Sequence, residues 1–293
     1  MINDLILRGT AHNDTFRVFA VQNTAAVQKA RDLHDLSPIA TILLGRMLSA
    51  VAMMSWDLKH PEAEVTLRVD GEGPLAGAVA ICTAQGFLRG YAFNPRFFLD
   101  NATANFLPGK AIGHGKLSII RNDTNKQAFT GTCELISGEI AEDLAHYYAQ
   151  SEQIPTAVNL GVLIDKEAKI RASGGFIIQQ LPFAEPAIAE IIQSNIATTP
   201  NISDLMDMGL DLEEILMRFV FKGLQWKKHE EKQLLYHCSC TRERFSRALL
   251  LLGAEELQEM QEGIKPVCQY CGTEYAFSHT DMLSLINELK VKP

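Results

Sequence analysis

The amino-acid sequence predicts an α+β protein in three parts, a fold class indicated by three observations. Short β-rich segments separated by turn residues fill residues 1–182, which predicts an N-terminal domain of largely antiparallel β-sheet with helices. Residues 183–231 carry short apolar patterns at helical spacing, which predicts a helical linker region. Four of the six cysteines fall within residues 232–293, which predicts a small C-terminal domain built around them.

The sheet of the N-terminal domain is predicted from segments rich in β-branched and aromatic residues. They are Asp14–Gln22, Glu64–Gly73, Pro74–Cys82, Gly86–Asn94, Gly115–Asp123, Gln127–Ser137 and Gly174–Pro182. Helices are predicted between them at about 24–35, 38–57 and 138–150. Because hairpin-length spacings dominate over those of βαβ units, neighbouring strands are expected to run antiparallel.

The net charge and the first residues of the chain indicate which partners and which compartment to expect. A net charge of -8 disfavours general attraction to nucleic acid or to an anionic membrane. The opening MINDLILRGTAHND has no basic segment, long apolar segment or small-residue cleavage site, so no signal peptide is expected. We therefore expect a cytoplasmic protein with reduced thiols, in which clustered cysteines bind metal or react rather than form structural bridges.

The most apolar window, Ile39–Trp56, has the length of a membrane span. It carries Arg46 near its middle, a charge that is costly in lipid. Ser37 and Pro38 precede it as a helix N-cap and a first helical residue. We interpret the window as a buried core helix.

The linker region is predicted to be stable only while it packs on a neighbour. Residues 183–231 hold nine acidic and four basic residues, and their helices are short enough to be marginal alone in water. One apolar face at helical spacing consists of Leu212, Ile215, Leu216 and Phe219.

The C-terminal cysteines have the spacing of a zinc site with four thiolate ligands. Cys238 and Cys240 are separated by one residue, and after 27 intervening residues Cys268 and Cys271 follow, separated by two. Each pair supplies two thiolates from one tight turn, and Gly272 allows the backbone conformation that such a turn needs. A site closed by four thiolates leaves no position for water or substrate, so we expect no enzyme.

Two histidines and two further cysteines lie outside this set. His237 and His279 could substitute as ligands, but four cysteines complete the shell, and we expect both histidines to be exposed polar residues. Cys82 and Cys133 lie in apolar strand patterns and are expected to be buried and inert.

The Cys-x-Cys spacing indicates a redox-sensitive site, because a disulfide across one residue is strained and therefore labile. Both cysteine pairs could close on oxidation, which would remove every metal ligand. Structural zinc contributes on the order of 10–16 kcal/mol of apparent folding free energy in small domains. Without it, a domain of 62 residues is expected to lose its fold, and the linker would lose a packing neighbour and expose apolar surface.

Three other functions remain open at this point. In a purely structural zinc protein, oxidation would strip the metal and only inactivate the chain. A thiol–disulfide oxidoreductase would place Cys-x-x-Cys at a helix start, whereas CQYC precedes Gly272 and the β-like TEYAF. A zinc-ribbon nucleic-acid binder is disfavoured because residues 232–293 hold seven basic against eight acidic residues before the thiolates are counted.

Several linked motifs give the chain a family resemblance over essentially its whole length. They are VDGEGP at Val69–Pro74, SGEIAEDLAHYYAQSEQIPTA at Ser137–Ala157, ASGGFIIQQLP at Ala172–Pro182, HCSCTRERF at His237–Phe245 and the later CQYC. With these motifs the chain resembles the redox-regulated 33 kDa chaperonins, a family of bacterial heat-shock chaperones.

The resemblance implies a cytoplasmic holdase that is inactive when reduced and bound to one zinc ion. Oxidation would form Cys238–Cys240 and Cys268–Cys271 disulfides, with Cys268 and Cys271 as the peroxide-sensing pair, and would release the zinc. The linker would then unfold, and the protein would form a homodimer and bind unfolding client proteins without ATP. We expect the linker face either to contact clients or only to pack on the N-terminal domain; that face is Leu212, Ile215, Leu216 and Phe219.

Overall fold

The structure, a computed structural model, describes residues 3–98, 107–123 and 128–291. The chain forms two compact units, Met1–His237 and Cys238–Pro293. Gln127, the first residue of one predicted strand segment, lies outside the described residues. The sequence predicts three parts of the chain, divided at 182/183 and 231/232, because residues 183–231 are expected to be stable only while they pack on a neighbour. That division stays a prediction.

The first unit alternates short strands with helices. Its strands are β1 (Leu5–Ala11), β2 (Phe16–Gln22), β3 (Glu64–Gly71), β4 (Gly77–Thr83), β5 (Phe87–Ala92), β6 (Gly115–Asn122), β7 (Phe129–Glu134), β8 (Thr156–Ile164), β9 (Ile170–Gln180), β10 (Trp226–Gln233) and β11 (Leu235–Tyr236). Its helices are α1 (Thr24–His34), α2 (Pro38–Met54), α3 (Pro108–Ile112), α4 (Ala141–Tyr147), α5 (Pro186–Thr198), α6 (Ile202–Asp207) and α7 (Leu212–Ile215). A 3-10 turn follows α2 at Ser55–Asp57, and π-helical turns follow α4 and α7 at Tyr148–Glu152 and Leu216–Val220.

Within the described residues the strands of this unit form two sheets. The five-stranded sheet has the order β10-β1-β2-β9-β8, with every neighbouring pair antiparallel. The six-stranded sheet has the order β11-β5-β4-β3-β6-β7, antiparallel except where β11 joins β5. The predicted α+β class with largely antiparallel sheet is confirmed.

Helix α2 is the core helix that the sequence predicts. It packs on strands of both sheets, among them β4, β8 and β9. The Ser37 side chain accepts a hydrogen bond from the Ala40 N–H at 3.3 Å, as expected of an N-cap. Arg46 is tolerated because it pairs with the Glu139 carboxylate at 2.5 Å. The helix and its following turn are long and apolar enough to cross a membrane, but 83% of the most apolar stretch is buried inside the protein.

Both faces of the five-stranded sheet are buried, because successive side chains of a strand point to opposite sides. On one side Ile6 and Phe19 join the core around α2. On the other side Leu7, Val18 and Phe176 join a second apolar cluster. The linker region supplies eight further buried members of that cluster, which are Ile192, Ile202, Leu205, Leu212, Ile215, Leu216, Val220 and Phe221.

The end of the linker region differs from the sequence prediction. Residues 183–231 were expected to be helical, but the segment from Trp226 to Gln233 forms β10 and pairs with β1. The reason is tertiary: WKKHEEKQ has little strand propensity, and the free edge of β1 supplies the pairing that fixes it.

Asp143 organises the turn before α4 from a fully buried position. Its carboxylate accepts four backbone N–H bonds of 2.7–3.3 Å, from Ile136, Ser137, Gly138 and Ile140. A carboxylate that closes a turn in this way satisfies donors that would otherwise be left unpaired away from water.

Replacing Asp143 with alanine leaves these N–H groups without their acceptor, at about 1–3 kcal/mol for each buried one. We expect Asp143→Ala to lower the free energy of unfolding by at least about 3 kcal/mol in urea denaturation followed by circular dichroism. The matched control is Glu142→Ala, an exposed acidic residue of the same helix, for which we expect a change within about 1 kcal/mol. A loss below about 1 kcal/mol for Asp143→Ala would contradict this role.

Candidate metal centre

The second unit is a small domain with a small apolar core. Its elements are α8 (Arg242–Leu250), α9 (Ala254–Glu259), β12 (Gly263–Ile264), β13 (Phe277–Ser278) and α10 (His279–Val291). Its fully buried apolar core consists of Leu249, Leu257, Phe277, Met282, Leu285 and Ile286. Thr241 caps α8, because its hydroxyl accepts the Arg244 N–H at 3.3 Å. Such a core is too small to make the unit stable without further support.

The four cysteines of this unit come together in one group, as the sequence predicts. The Sγ atoms of Cys238 and Cys268 lie 3.8 Å apart, and those of Cys240 and Cys271 lie 3.3 Å apart. All four sulfurs lie within 4.8 Å of one another, and all four are free thiols. A tetrahedral ion with sulfur ligands at about 2.3 Å requires sulfur–sulfur separations of about 3.8 Å. The donor set and its spacing therefore fit a single tetrahedral metal ion.

Each cysteine pair is placed by a local turn. The Cys268 N–H donates to the Thr273 carbonyl oxygen at 2.9 Å, and the Gly272 N–H donates to the Cys268 carbonyl oxygen at 2.8 Å. Gly272 has φ +70°, the left-handed conformation expected of this residue. The Cys238–Cys240 segment leads directly into the capped start of α8. Both turns thus present two sulfurs to the same point.

The sulfurs differ in how readily they lose a proton. Burial raises the pKa of Cys238 and Cys268, with contributions from neighbouring thiols. Burial also acts to raise the pKa of Cys271, but hydrogen bonds from the Thr273 hydroxyl and backbone, with contributions from neighbouring thiols, outweigh it and lower the value to about 7. Four thiolates so close together repel one another, so a cation is needed to hold the set deprotonated.

Side chains around the sulfurs were not predicted. The Tyr275 hydroxyl donates to the Cys240 carbonyl oxygen at 3.0 Å and lies 3.2 Å from Cys240 Sγ. The interaction with the Cys240 thiol, more than any other cause, raises the pKa of Tyr275 to about 12. Arg244 donates to the Ser239 hydroxyl at 2.9 Å, between the two cysteines of the first pair. Nothing in their sequence spacing marks these residues, because their roles depend on contacts across the turn.

The residues that were set apart from the site lie outside the group. His237 and His279 are exposed, and His279 contacts the Gln261 carbonyl oxygen at 2.7 Å instead of a sulfur. Cys82 and Cys133 are buried, and burial raises the pKa of Cys82 to about 12 and that of Cys133 to about 11. The predicted burial of both thiols is confirmed, and raised pKa values disfavour reaction, but their inertness stays a prediction.

The linker face lies in the apolar cluster of the first unit. Leu212, Ile215 and Leu216 are at most 4% exposed, and Phe219 packs against the same cluster while remaining partly exposed. In this state the four side chains pack on the sheet, and a client could reach the buried ones only after the segment moves. Their role in client binding stays a prediction.

Comparison with known proteins gives the family. Residues 4–278 match the family model described as Hsp33 protein. The chain is 38% identical to the 33 kDa chaperonin of Ruminiclostridium cellulolyticum over 98% of this chain and 99% of that relative. It is 37% identical to the 33 kDa chaperonin of Desulforamulus reducens over 99% of this chain and 100% of that relative.

The fold also matches a solved structure. The crystal structure of the 33 kDa chaperonin (heat shock protein 33 homolog) from Thermotoga maritima aligns with a TM-score of 0.87 and 34% identity, covering 100% of both chains. Sequence and fold agree over the whole length, so the chain belongs to the Hsp33 protein family.

Proposed function

We propose that this protein is a redox-regulated, ATP-independent chaperone of the cytoplasm that keeps unfolding client proteins soluble. Membership of a family of chaperonins supports the chaperone function. The observation that carries the proposed regulation is the group of four free thiols within 4.8 Å of one another. Reduced, these thiols hold a metal ion and the chain is inactive; oxidised, they cannot hold it and the chain is active.

Zinc is the ion proposed for the reduced state. Four sulfur donors in tetrahedral spacing suit zinc, whereas magnesium and calcium require oxygen ligands. When bound, one zinc ion would supply the charge that keeps the four thiolates together. The closed donor set leaves no position for a reacting molecule, which supports a protein that is not an enzyme.

Hydrogen peroxide is the proposed oxidant. Cys268 and Cys271 form one disulfide: each sulfur gives up one electron, the O–O bond breaks, and two water molecules leave. The two protons required come from the thiols, or from solvent where the sulfurs are thiolates. A second peroxide oxidises Cys238 and Cys240 in the same way. The two disulfides have no thiolate left to hold the ion, and it departs.

Loss of the metal is proposed to unfold the second unit. Structural zinc contributes on the order of 10–16 kcal/mol of apparent folding free energy, more than a core of this size supplies. The chain leading into Cys238, from α5 to β10, is then proposed to leave the second face of the five-stranded sheet. That face, with Leu7, Val18 and Phe176, and the linker face both become available to clients and to a second chain, which gives the homodimer.

Two rival functions are opposed by particular observations. In the described chain the Cys268–Cys271 turn is followed by an isolated bridge and β13 rather than a helix start, which disfavours a thiol–disulfide oxidoreductase. The net charge of -8 disfavours a nucleic-acid binder. A purely structural zinc protein predicts the same metal site and differs only in what oxidation does to activity.

The reduced chain is expected to carry one zinc ion per chain, measured by plasma mass spectrometry after gel filtration. Cys271→Ser removes one sulfur donor and should weaken zinc binding at least tenfold in competition with a chromogenic chelator. Cys133→Ser is the matched control, because it removes a buried thiol outside the group and should leave zinc binding unchanged. A reduced wild-type chain without stoichiometric zinc would contradict the metal assignment.

The oxidised chain is expected to suppress light scattering by a heat-unfolding client in the absence of ATP, while the reduced chain does not. Peroxide with mild heat should release zinc before protection develops, because the metal must leave before apolar surface is exposed. Oxidation that releases zinc and yields only inactive or aggregated protein would instead establish the structural zinc protein.

The pairing of the cysteines needs its own measurement, because two close pairs of sulfurs in the reduced arrangement join different turns. Cys240 and Cys271 are 3.3 Å apart. We nevertheless expect Cys238–Cys240 and Cys268–Cys271, since each bridge then closes within one turn after the metal has left. Proteolysis under non-reducing conditions with mass spectrometry distinguishes the pairings, and a dominant Cys240–Cys271 bridge would contradict the proposed step.

A further inference from the structure

The outer edge of the five-stranded sheet is closed by a charged strand of the chain itself. β10 pairs with β1 from Leu5 opposite Gln233 to Ala11 opposite Trp226, with one register shift between Arg8 and Gly9. The β10 sequence is WKKHEEKQ, and most of its side chains are exposed. Charged residues on an outermost strand discourage the addition of another strand. The β1 strand beneath, LILRGTA, has one charged residue and would lack this protection if β10 left.

The backbone groups that β10 covers can be identified. The Leu234 N–H donates to the Asp4 carbonyl oxygen at 2.9 Å, and the His12 N–H donates to the Gln225 carbonyl oxygen at 2.9 Å. The backbone N–H and C=O groups of successive residues in a strand point to opposite sides. Every second residue between Asp4 and His12 therefore directs these groups toward β10. These residues are Ile6, Arg8 and Thr10.

An aromatic stack seats β10 on β1 at Gly9. The rings of Trp226 and Phe221 stack with centroids 5.7 Å apart and planes 6° apart. A Cβ at Gly9 would collide with the Trp226 ring and with the Lys227 carbonyl oxygen. The Trp226 indole N–H is buried and has no hydrogen-bond partner among the described residues, which is unfavourable. Trp226 therefore packs closely on β1, but its unpaired indole N–H favours the release of β10.

The covered edge is continuous with the apolar face under the linker helices. Leu7 and Ala11 of β1 belong to the buried cluster on that face, and Leu5 packs against it. Gly9 lies on the same face, since it alternates with them along the strand. A strand placed at the edge of β1 would therefore find backbone partners and an apolar surface side by side.

We propose that a client binds at the outer edge of β1 as an extended strand, in the place that β10 occupies in the resting state. This inference rests on the proposed function, because the edge is free only after the linker region has been released. The occupant is a proline-free segment of an unfolding protein with apolar side chains at alternate positions. β10 is then an autoinhibitory strand as well as part of the linker.

The chemistry of an unfolding protein fits this edge. Such a chain exposes both unpaired backbone groups and apolar side chains, and strand addition satisfies the first through main-chain hydrogen bonds that require no particular sequence. Alternate side chains of the added strand would lie over the face formed by Leu5, Leu7 and Ala11. Backbone pairing thus explains how one surface could hold many different clients.

The first test uses a synthetic peptide with the sequence of Gln225–Leu234, added to the oxidised full-length chain during client protection. Two N-methylated versions separate backbone pairing from attraction between side chains. Methylation at Glu230 and Lys232 removes N–H groups that point to β1, and methylation at Glu231 and Gln233 removes N–H groups that point away.

The unmodified peptide should compete with the client, and methylation at Glu230 and Lys232 should raise the half-inhibiting concentration at least tenfold. Methylation at Glu231 and Gln233 should change that concentration less than threefold. Equal competition by the two methylated peptides, or no competition by any peptide while the client is protected, would overturn the inference.

The second test opens the edge without oxidation. Glu230→Pro removes an N–H group that points to β1 and leaves β1 itself unchanged, so it should release β10 and give client protection by the reduced, zinc-loaded chain. Gly161→Ala is the matched control, because a Cβ there meets Ile202 and Ser203 of α6 at 2.9–3.0 Å and does not touch β10. Circular dichroism and zinc content verify that both variants fold. Protection by the reduced Gly161→Ala variant and not by Glu230→Pro would place the site on the sheet face instead of the edge and overturn the inference.

Failure of this inference is distinguishable from failure of the proposed function. If the oxidised wild-type chain protects no client, the proposed function fails. If it protects clients but neither the peptides nor Glu230→Pro behave as described, only the strand-addition site fails. Slow hydrogen exchange at Ile6, Arg8 and Thr10 in the oxidised chain before client is added would show that β10 of either copy still occupies the edge, which also overturns it.

Discussion

The mutual repulsion of four thiolates at one point is the constraint on which the structure depends. Sulfurs within 4.8 Å of one another are stable as thiolates only around a cation, and they are the same atoms that an oxidant can pair. The unit they hold has a small apolar core, so its fold depends on this group to an extent that a larger domain would not. In the proposed function, metal binding, redox chemistry and folding are therefore coupled through one set of atoms.

In the first unit, the segment that leads into the cysteine group also covers the five-stranded sheet. Its five-stranded sheet is apolar on both faces, and one face is covered by α2 while the other is covered by the short helices of the linker region. The same segment ends in β10, which closes the sheet edge and runs through β11 to His237, directly before Cys238. One stretch of chain thus covers an apolar face, closes a strand edge and leads into the unit that carries the candidate metal centre.

The sequence predicts those features that depend on neighbouring residues. Short sequence patterns predict the Ser37 N-cap, the buried helix after it and the antiparallel sheets, and the structure confirms them. The cysteines also come together as their spacing predicts. The β10 strand was not predicted, because its charged residues form a strand only against the free edge of β1. The contacts of Tyr275 and Arg244 around the sulfurs were also missed, since they depend on how distant segments of the second unit pack.

We expect metal loss, release of β10 and client binding to form one sequence of events in the wild-type chain. The decisive measurement is hydrogen exchange with mass spectrometry on β1 and β10, sampled during peroxide treatment alongside zinc release and client protection. We predict that zinc leaves first, that the β1 and β10 amides then lose protection, and that clients bind only afterwards. Client protection by wild-type protein that still holds its zinc, or with β10 still protected on β1, would contradict it.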